Sequence, residues 1–181
     1  MTLRGHAVLA VLIFSAAGCA SAEVLDSSGG GFTVKTTLTI QAAPAVVYQR
    51  LVHNVGEWWS PAHTFSHNAH NLSISDQAMG CFCETLPDGG GVRHMEVINA
   101  TPGKRLVLNG ALGPLQSLAV TGAMKIELSP AGDGTKLEVT YAVGGYLPAG
   151  LTTWAAPVDG VLGEQFTRLK NYVEHGDPAP K

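Results

Sequence analysis

Apolar and polar residues alternate along much of the chain. Phe32, Val34, Leu38 and Ile40 fall on one side of an extended segment, and Thr33, Lys35, Thr37 and Thr39 on the other. Period-two alternation in a Thr-rich run predicts a half-buried strand. The pattern then changes. Pro44 suits the first turn of a helix, and Val46, Val47, Leu51 and Val52 follow at helical spacing, so a helix is expected over 45–55, ended by Gly56. Residues 58–71, from Trp58-Trp59-Ser60-Pro61 onward, are turn-rich and read as loop.

Strand candidates follow at 72–75, 80–86, 91–99, 105–109 and 118–128, separated by turn residues. Pro87-Asp-Gly-Gly-Gly91 is a hairpin signal, and Thr101-Pro-Gly-Lys104 is another. A last strand, 135–143, points Leu137, Val139, Tyr141 and Val143 inward and Lys136, Glu138 and Thr140 outward. The chain then returns to helical period. Val158, Val161, Leu162, Phe166, Leu169 and Val173 form one stripe over 157–175. Such a helix is about 28 Å long. Glu164/Arg168 and Lys170/Glu174 are spaced as ion pairs on its outer side. Gly160 and Gly163 lie inside it, where each costs about 1 kcal/mol against Ala.

The order is strand, short helix, about six antiparallel strands, long amphipathic helix. A sheet that is apolar on one face must cover it, and only the last helix is long enough. The expected class is α+β, with a curved antiparallel sheet of about six to seven strands wrapped around the C-terminal helix. A gap between the two would be a natural ligand site.

The first segment reads differently. Arg4, an apolar run from Ala7 to Ala17, and Ala20-Ser21-Ala22 have the layout of an export signal cleaved before Glu23. A competing reading takes Ala16-Ala17-Gly18-Cys19 as a lipoprotein processing box, anchoring the chain through Cys19. The run is too short for a membrane span, and no later segment approaches the necessary length. The expected organisation is a signal peptide over 1–22, a flexible lead-in over 23–31 ending in Ser27-Ser28-Gly29-Gly30-Gly31, one domain over 32–175 and a tail over 176–181. The expected location is therefore periplasmic or secreted.

Composition narrows the function classes. The 181 residues are 45% hydrophobic and 14% charged, with a net charge of −3. There is no dense Lys/Arg run, which argues against nucleic-acid binding. No G-x-S-x-G, H-E-x-x-H, phosphate-binding glycine loop or dinucleotide fingerprint is present. No cofactor is expected.

Several residues carry candidate chemistry. Cys81 and Cys83 are two apart. In a regular strand their side chains sit about 6.5 Å apart, too far to bridge without a bulge. They are read as a buried pair, with a metal or redox pair and an intermolecular bond as alternatives; Glu84 or His94 would supply further zinc ligands across the hairpin. His63, His67 and His70, with His53 nearby, can be drawn as a metal set, yet Pro61, Asn68 and Asn71 favour solvated loop histidines. No metal is expected, and His63 is kept as a pocket residue. Glu84 is a charge in an otherwise apolar strand. We take it inward with Phe82, where desolvation should raise its pKa and fit it for acid–base work. Trp58, Trp59 and Trp154 offer apolar bodies with one N–H each, and Tyr141 offers an inward hydroxyl. Tyr146, with Leu147, belongs to a candidate cavity rim, and Phe166 to the covering helix.

The chain resembles the START-like, or SRPBCC, superfamily with the helix-grip fold. More closely it resembles the bacterial branch of polyketide cyclase/dehydrase-like and activator-of-Hsp90-ATPase-homologue-like proteins. The segments that carry the resemblance are Ala43-Pro-Ala-Val-Val-Tyr48, Trp58-Trp59-Ser60-Pro61, Gly80-Cys-Phe-Cys-Glu84, Val97 through Pro102-Gly-Lys-Arg-Leu106, and Val161-Leu-Gly-Glu-Gln-Phe-Thr-Arg-Leu-Lys170. The resemblance implies a hydrophobic cavity between sheet and terminal helix, and it places no catalytic signature on named residues. The expected function is an exported carrier of a small hydrophobic or amphipathic molecule, held by Trp58, Trp59, His63, Phe82, Glu84, Tyr141, Tyr146, Trp154 and Phe166. The alternatives are a cyclase-like enzyme in which Glu84, His63 or Tyr141 moves protons, and an envelope structural protein whose interior is filled.

Overall fold

The computed structural model describes residues 21–179. The expected signal peptide and Cys19 lie outside them. Eight strands form one antiparallel sheet: β1 (Ser21–Ser28), β2 (Gly31–Ile40), β3 (Leu72–Ile74), β4 (Cys81–Thr85), β5 (Gly91–Thr101), β6 (Arg105–Asn109), β7 (Ala119–Ala131) and β8 (Gly134–Tyr146). Their spatial order is β1-β2-β8-β7-β6-β5-β4-β3. Helices α1 (Pro44–His53) and α2 (Val55–Trp58) connect β2 to β3, and α3 (Ala155–His175) closes the chain. This is the α+β architecture that the patterning predicts, in the helix-grip arrangement that the resemblance implies.

Alternation sets the faces. In β2, Phe32, Val34, Leu38 and Ile40 are buried as expected, joined by Thr36; in β8 the buried set includes Leu137, Val139, Tyr141 and Val143. Helix α3 lies against β1 and β2 and against α1 and α2. Leu162, Phe166 and Leu169 are its buried apolar core, while Val158, Val161 and Val173 are only partly covered. The helix begins two residues before Pro157. A proline is tolerated there because first-turn N–H groups have no intrahelical partner. It ends on Gly176, which takes the left-handed conformation at φ 74°.

Two expectations change at the edges of the fold. The lead-in is a strand: β1 pairs with β2 from Ser21↔Thr37 to Ser28↔Gly31, turning at Gly29-Gly30, and this accounts for the eighth strand. Its apolar residues Val24 and Leu25 are exposed, so burial leaves no alternation to read; the strand is held by backbone pairing. Gly31 is needed where it stands, because a Cβ there would lie 2.5 Å from the Val143 carbonyl oxygen. On α3, Lys170 does pair with Glu174, at 2.7 Å, and also donates to the Thr39 carbonyl. Glu164 and Arg168 do not pair with each other. Glu164 reaches His63, and Arg168 Nε donates to the Trp58 carbonyl at 2.9 Å.

Candidate functional site

The β4–β5 hairpin builds the centre of the site. Phe82 pairs with Met95, and the next residue, Cys83, pairs with Arg93, so His94 is an extra residue on β5 with no partner on β4. Such a bulge breaks period two. Here it turns two consecutive residues, His94 and Met95, into the interior. On β4 the period holds, and Phe82 and Glu84 are both buried. Glu84 is only 2% exposed and His94 4%.

A buried carboxylate and a buried imidazole require partners. Glu84 Oε2 lies 3.0 Å from His94 Nε2 and accepts from the Phe65 backbone N–H at 3.1 Å. Oε1 accepts from the Ser66 backbone N–H at 2.5 Å. Burial alone would push the Glu84 carboxyl up, as the sequence suggested. The hydrogen bonds from Ser66, Phe65 and His94 outweigh it, and the pKa is held below the ordinary value. Burial holds the His94 pKa below its ordinary value despite the Glu84 contact. The pair at neutral pH is therefore a carboxylate and a neutral imidazole. With Nε2–H given to Glu84, Nδ1 is the acceptor. Its neighbour is Gln116 Nε2, 3.5 Å away, which also donates to the Arg93 carbonyl at 3.2 Å.

A cavity of about 290 Å³ opens between the sheet and the N-terminal half of α3. Apolar wall is supplied by Leu112, Leu115, Trp154, Val158, Val161 and Leu162. Tyr141 on β8 and His94 on β5 belong to the sheet side, and the segment from Ala62 to Phe65 closes one end. Phe65 is 50% exposed, and its ring stacks on His94 with centroids 5.9 Å apart. His94 also borders a neighbouring polar cleft with Arg93, Glu96, Asn109, Gln116 and Thr121.

Of the residues singled out from sequence, His63, Tyr141 and Trp154 are on the cavity wall. His63 Nε2 is 3.1 Å from Glu164 Oε2, tying the loop to α3. The Tyr141 hydroxyl is already occupied: it donates to the Gly110 carbonyl at 3.1 Å and accepts from the Leu112 N–H at 3.0 Å. Burial pushes its pKa up to about 12. Trp58, Trp59, Phe82 and Phe166 form an aromatic core behind the cavity, with centroid separations of 5.2–6.0 Å between successive rings. Their polar handles are satisfied, Trp58 Nε1 by the Arg50 carbonyl and Trp59 Nε1 by the His63 carbonyl. Glu84 stands behind His94. Tyr146 is 72% exposed and is not part of the wall.

His94, Phe65 and the segment Leu112–Leu115 are among the wall residues that sequence reasoning did not place. A signal for His94 existed, since the Pro87–Gly91 hairpin brings it across from Glu84, but strict alternation gives no reason to turn it inward. Cys81 and Cys83 are joined by a disulfide, the outcome that regular strand geometry excluded. Their Cα atoms are 5.4 Å apart, closer than two residues of regular strand, and the ladder is irregular at this point. The loop histidines do not converge. His70 faces Glu57 at 3.7 Å, and among the described residues no group of three or more His, Cys, Asp or Glu side chains is placed to hold a metal.

A curved antiparallel sheet closed by a C-terminal helix over a hollow is the helix-grip fold. Solved structures share it. The conserved protein of unknown function EF2215 from Enterococcus faecalis is 20% identical, with a TM-score of 0.62 over 88% of this chain and 80% of that one. CalU16 from Micromonospora echinospora is 16% identical, with a TM-score of 0.59 over 91% and 88%. Aha1 from Colwellia psychrerythraea, solved as a dimer, is 17% identical, with a TM-score of 0.55 over 80% and 97%. At these identities the likeness is one of fold. No protein-family model matches the sequence, and no curated protein matches it. Among the described residues no helix is long and apolar enough to cross a membrane.

Proposed function

We propose that this protein is exported and binds a small hydrophobic or amphipathic molecule in the cavity beneath α3. The observation that carries the reading is the hollow itself: about 290 Å³ with a mainly apolar wall, bordered by the buried apolar core. An envelope protein serving only structure would have its own side chains in that space. Native mass spectrometry of protein purified from its own source should show a co-purifying small molecule. Thermal shift against a lipid and aromatic library should show stabilisation. No bound compound and no shift from any library member would overturn the reading.

The buried Glu84–His94 pair supports a second reading, in which the cavity encloses an acid–base reaction of the cyclase-like kind. Turnover lost in His94→Gln while ligand is still retained would favour it.

A further inference from the structure

We propose that the Cys81–Cys83 disulfide is a thiol–disulfide exchange site on the solvent face of the sheet, taking two electrons from a substrate that carries two sulfhydryls. Neither cysteine is on the cavity wall, so the site stands apart from the guest-binding reading.

Its place in the sheet gives it access. Burial alternates along β4: Phe82 and Glu84 are buried, and Cys81 and Cys83 are half-buried on the opposite face. The register puts Glu96 across from Cys81 and Arg93 across from Cys83 on β5, and Ser73 across from Cys83 on β3. Ser73 and Arg93 are exposed and Glu96 is half-buried. Arg93 and Glu96 also border the polar cleft, which holds about 420 Å³, room for a small polar carrier of thiols.

As a staple the bridge does little. Both its ends are on one strand, and that strand is already paired with β3 on one side and β5 on the other. It spans a sequence separation of 2, so it takes little freedom from the unfolded chain. The stabilisation is mutual. A bridge that adds little to the fold is held only weakly in its oxidised form by the fold. Accessible bridges of this kind are the ones open to exchange.

The flanking charges set the direction. A substrate thiolate that attacks one sulfur expels the other as a thiolate. Directly opposed residues on adjacent strands have Cβ atoms about 4.5–5.5 Å apart. The cation of Arg93 opposite Cys83 favours a thiolate there, and the anion of Glu96 opposite Cys81 disfavours one. The first substrate sulfur therefore bonds to Cys81 Sγ, and Cys83 Sγ leaves with the electron pair and takes up a proton. The second substrate thiolate then attacks the substrate sulfur of the mixed disulfide and expels Cys81 Sγ, which is protonated in turn. The substrate ends as a disulfide and the protein as a dithiol. Arg93 and Glu96 act as positioning residues for charge. They also face each other at 3.4 Å, which tempers both charges and keeps the effects within about tenfold.

The test uses the whole oxidised protein at pH 7, with free thiols counted by alkylation and mass. In glutathione redox buffers, the ratio that half-reduces the folded protein should lie within about thirtyfold of the ratio that half-reduces it in urea, because a short ring links only weakly to folding. A larger gap marks a staple and overturns the proposal. Dithiothreitol should reduce Arg93→Ala about three- to tenfold more slowly than wild type and Glu96→Gln about two- to threefold faster. Both side chains reach solvent, so the variants should fold, as circular dichroism checks. In the reduced protein, substoichiometric iodoacetamide should label Cys83 before Cys81, and the preference should shrink in Arg93→Ala. Equal labelling of the two cysteines in wild type, or reduction rates unchanged in both variants, also overturns the proposal.

Discussion

Glu84 on β4 and His94 on β5 meet at 3.0 Å because the ladder between their strands skips one residue, and His94 is the residue skipped. The contact joins three parts of the molecule. Glu84 holds the backbone of Phe65 and Ser66 in the loop, His94 forms cavity wall, and Phe82 packs edge-on against Trp59 in the core.

Glu84→Gln should destabilise the fold by about 1–3 kcal/mol, because the new amide cannot accept from Phe65, Ser66 and His94 without turning its own N–H₂ toward one of these donors. Urea unfolding measures this. A change within about 0.5 kcal/mol, the level of an ordinary surface substitution, would show that the contacts are not holding the loop.

Acid should weaken the protein in two stages. His94 titrates below its ordinary value of 6.5 in the folded state, so the unfolded chain takes up this proton first, and stability falls as pH drops below about 6.5. Glu84 is also held below its ordinary value of 4.5, so its share of stability is present above that value and is lost as pH falls through the folded-state pKa. Denaturant midpoints between pH 8 and pH 3 should decline in both ranges, and His94→Gln should remove the upper decline. An unchanged upper decline would assign it to another group.

The Cys81–Cys83 bridge closes a ring of sequence separation 2, so it removes little freedom from the unfolded chain. The double variant Cys81→Ser/Cys83→Ser should lose roughly 1–2 kcal/mol. Loss of folding instead would mean that the bridge is required to place Phe82 and Glu84.

Filling the hollow should abolish binding without unfolding the protein. Val161 is a partly buried wall residue, and Val161→Phe projects a ring into the cavity. Naphthalene affinity should fall by roughly tenfold or more, with a thermal midpoint close to wild type, since the added volume has space to enter. Undiminished naphthalene binding would place the guest elsewhere.

The N-terminus of protein from its own source should be Glu23, found by intact mass. Cleavage there removes only Ser21 and Ala22 from β1, and the pairing from Glu23↔Lys35 onward survives. A diacylated Cys19 would replace soluble export with lipid anchoring.

Much of the fold was legible because its signals are local. Phe32 to Ile40 and Leu137 to Val143 alternate over a whole strand, and Leu162, Phe166 and Leu169 keep one helical stripe; each pattern has one solution that buries the apolar side. Strand β1 was missed for the opposite reason. Val24 and Leu25 stay exposed, and what holds the strand is backbone pairing that side-chain pattern does not encode. Trp58, Trp59, Phe82 and Phe166 were expected to hold the guest and instead pack as a core behind the cavity wall, because composition cannot separate a ring behind a wall from a ring on it.

The amino-acid order by itself determined the alternating strands, the closing amphipathic helix and hence an α+β sheet covered by that helix, since periodicity records which face of each element must leave water; the helix-grip arrangement is what the family resemblance implied. Only the tertiary structure decided that His94 turns inward, that Glu84 is held as a carboxylate when burial favours the acid, and that a hollow remains under α3. Those outcomes depend on how one strand registers against the next and on which backbone N–H groups a distant loop delivers, and neither quantity belongs to any single stretch of chain.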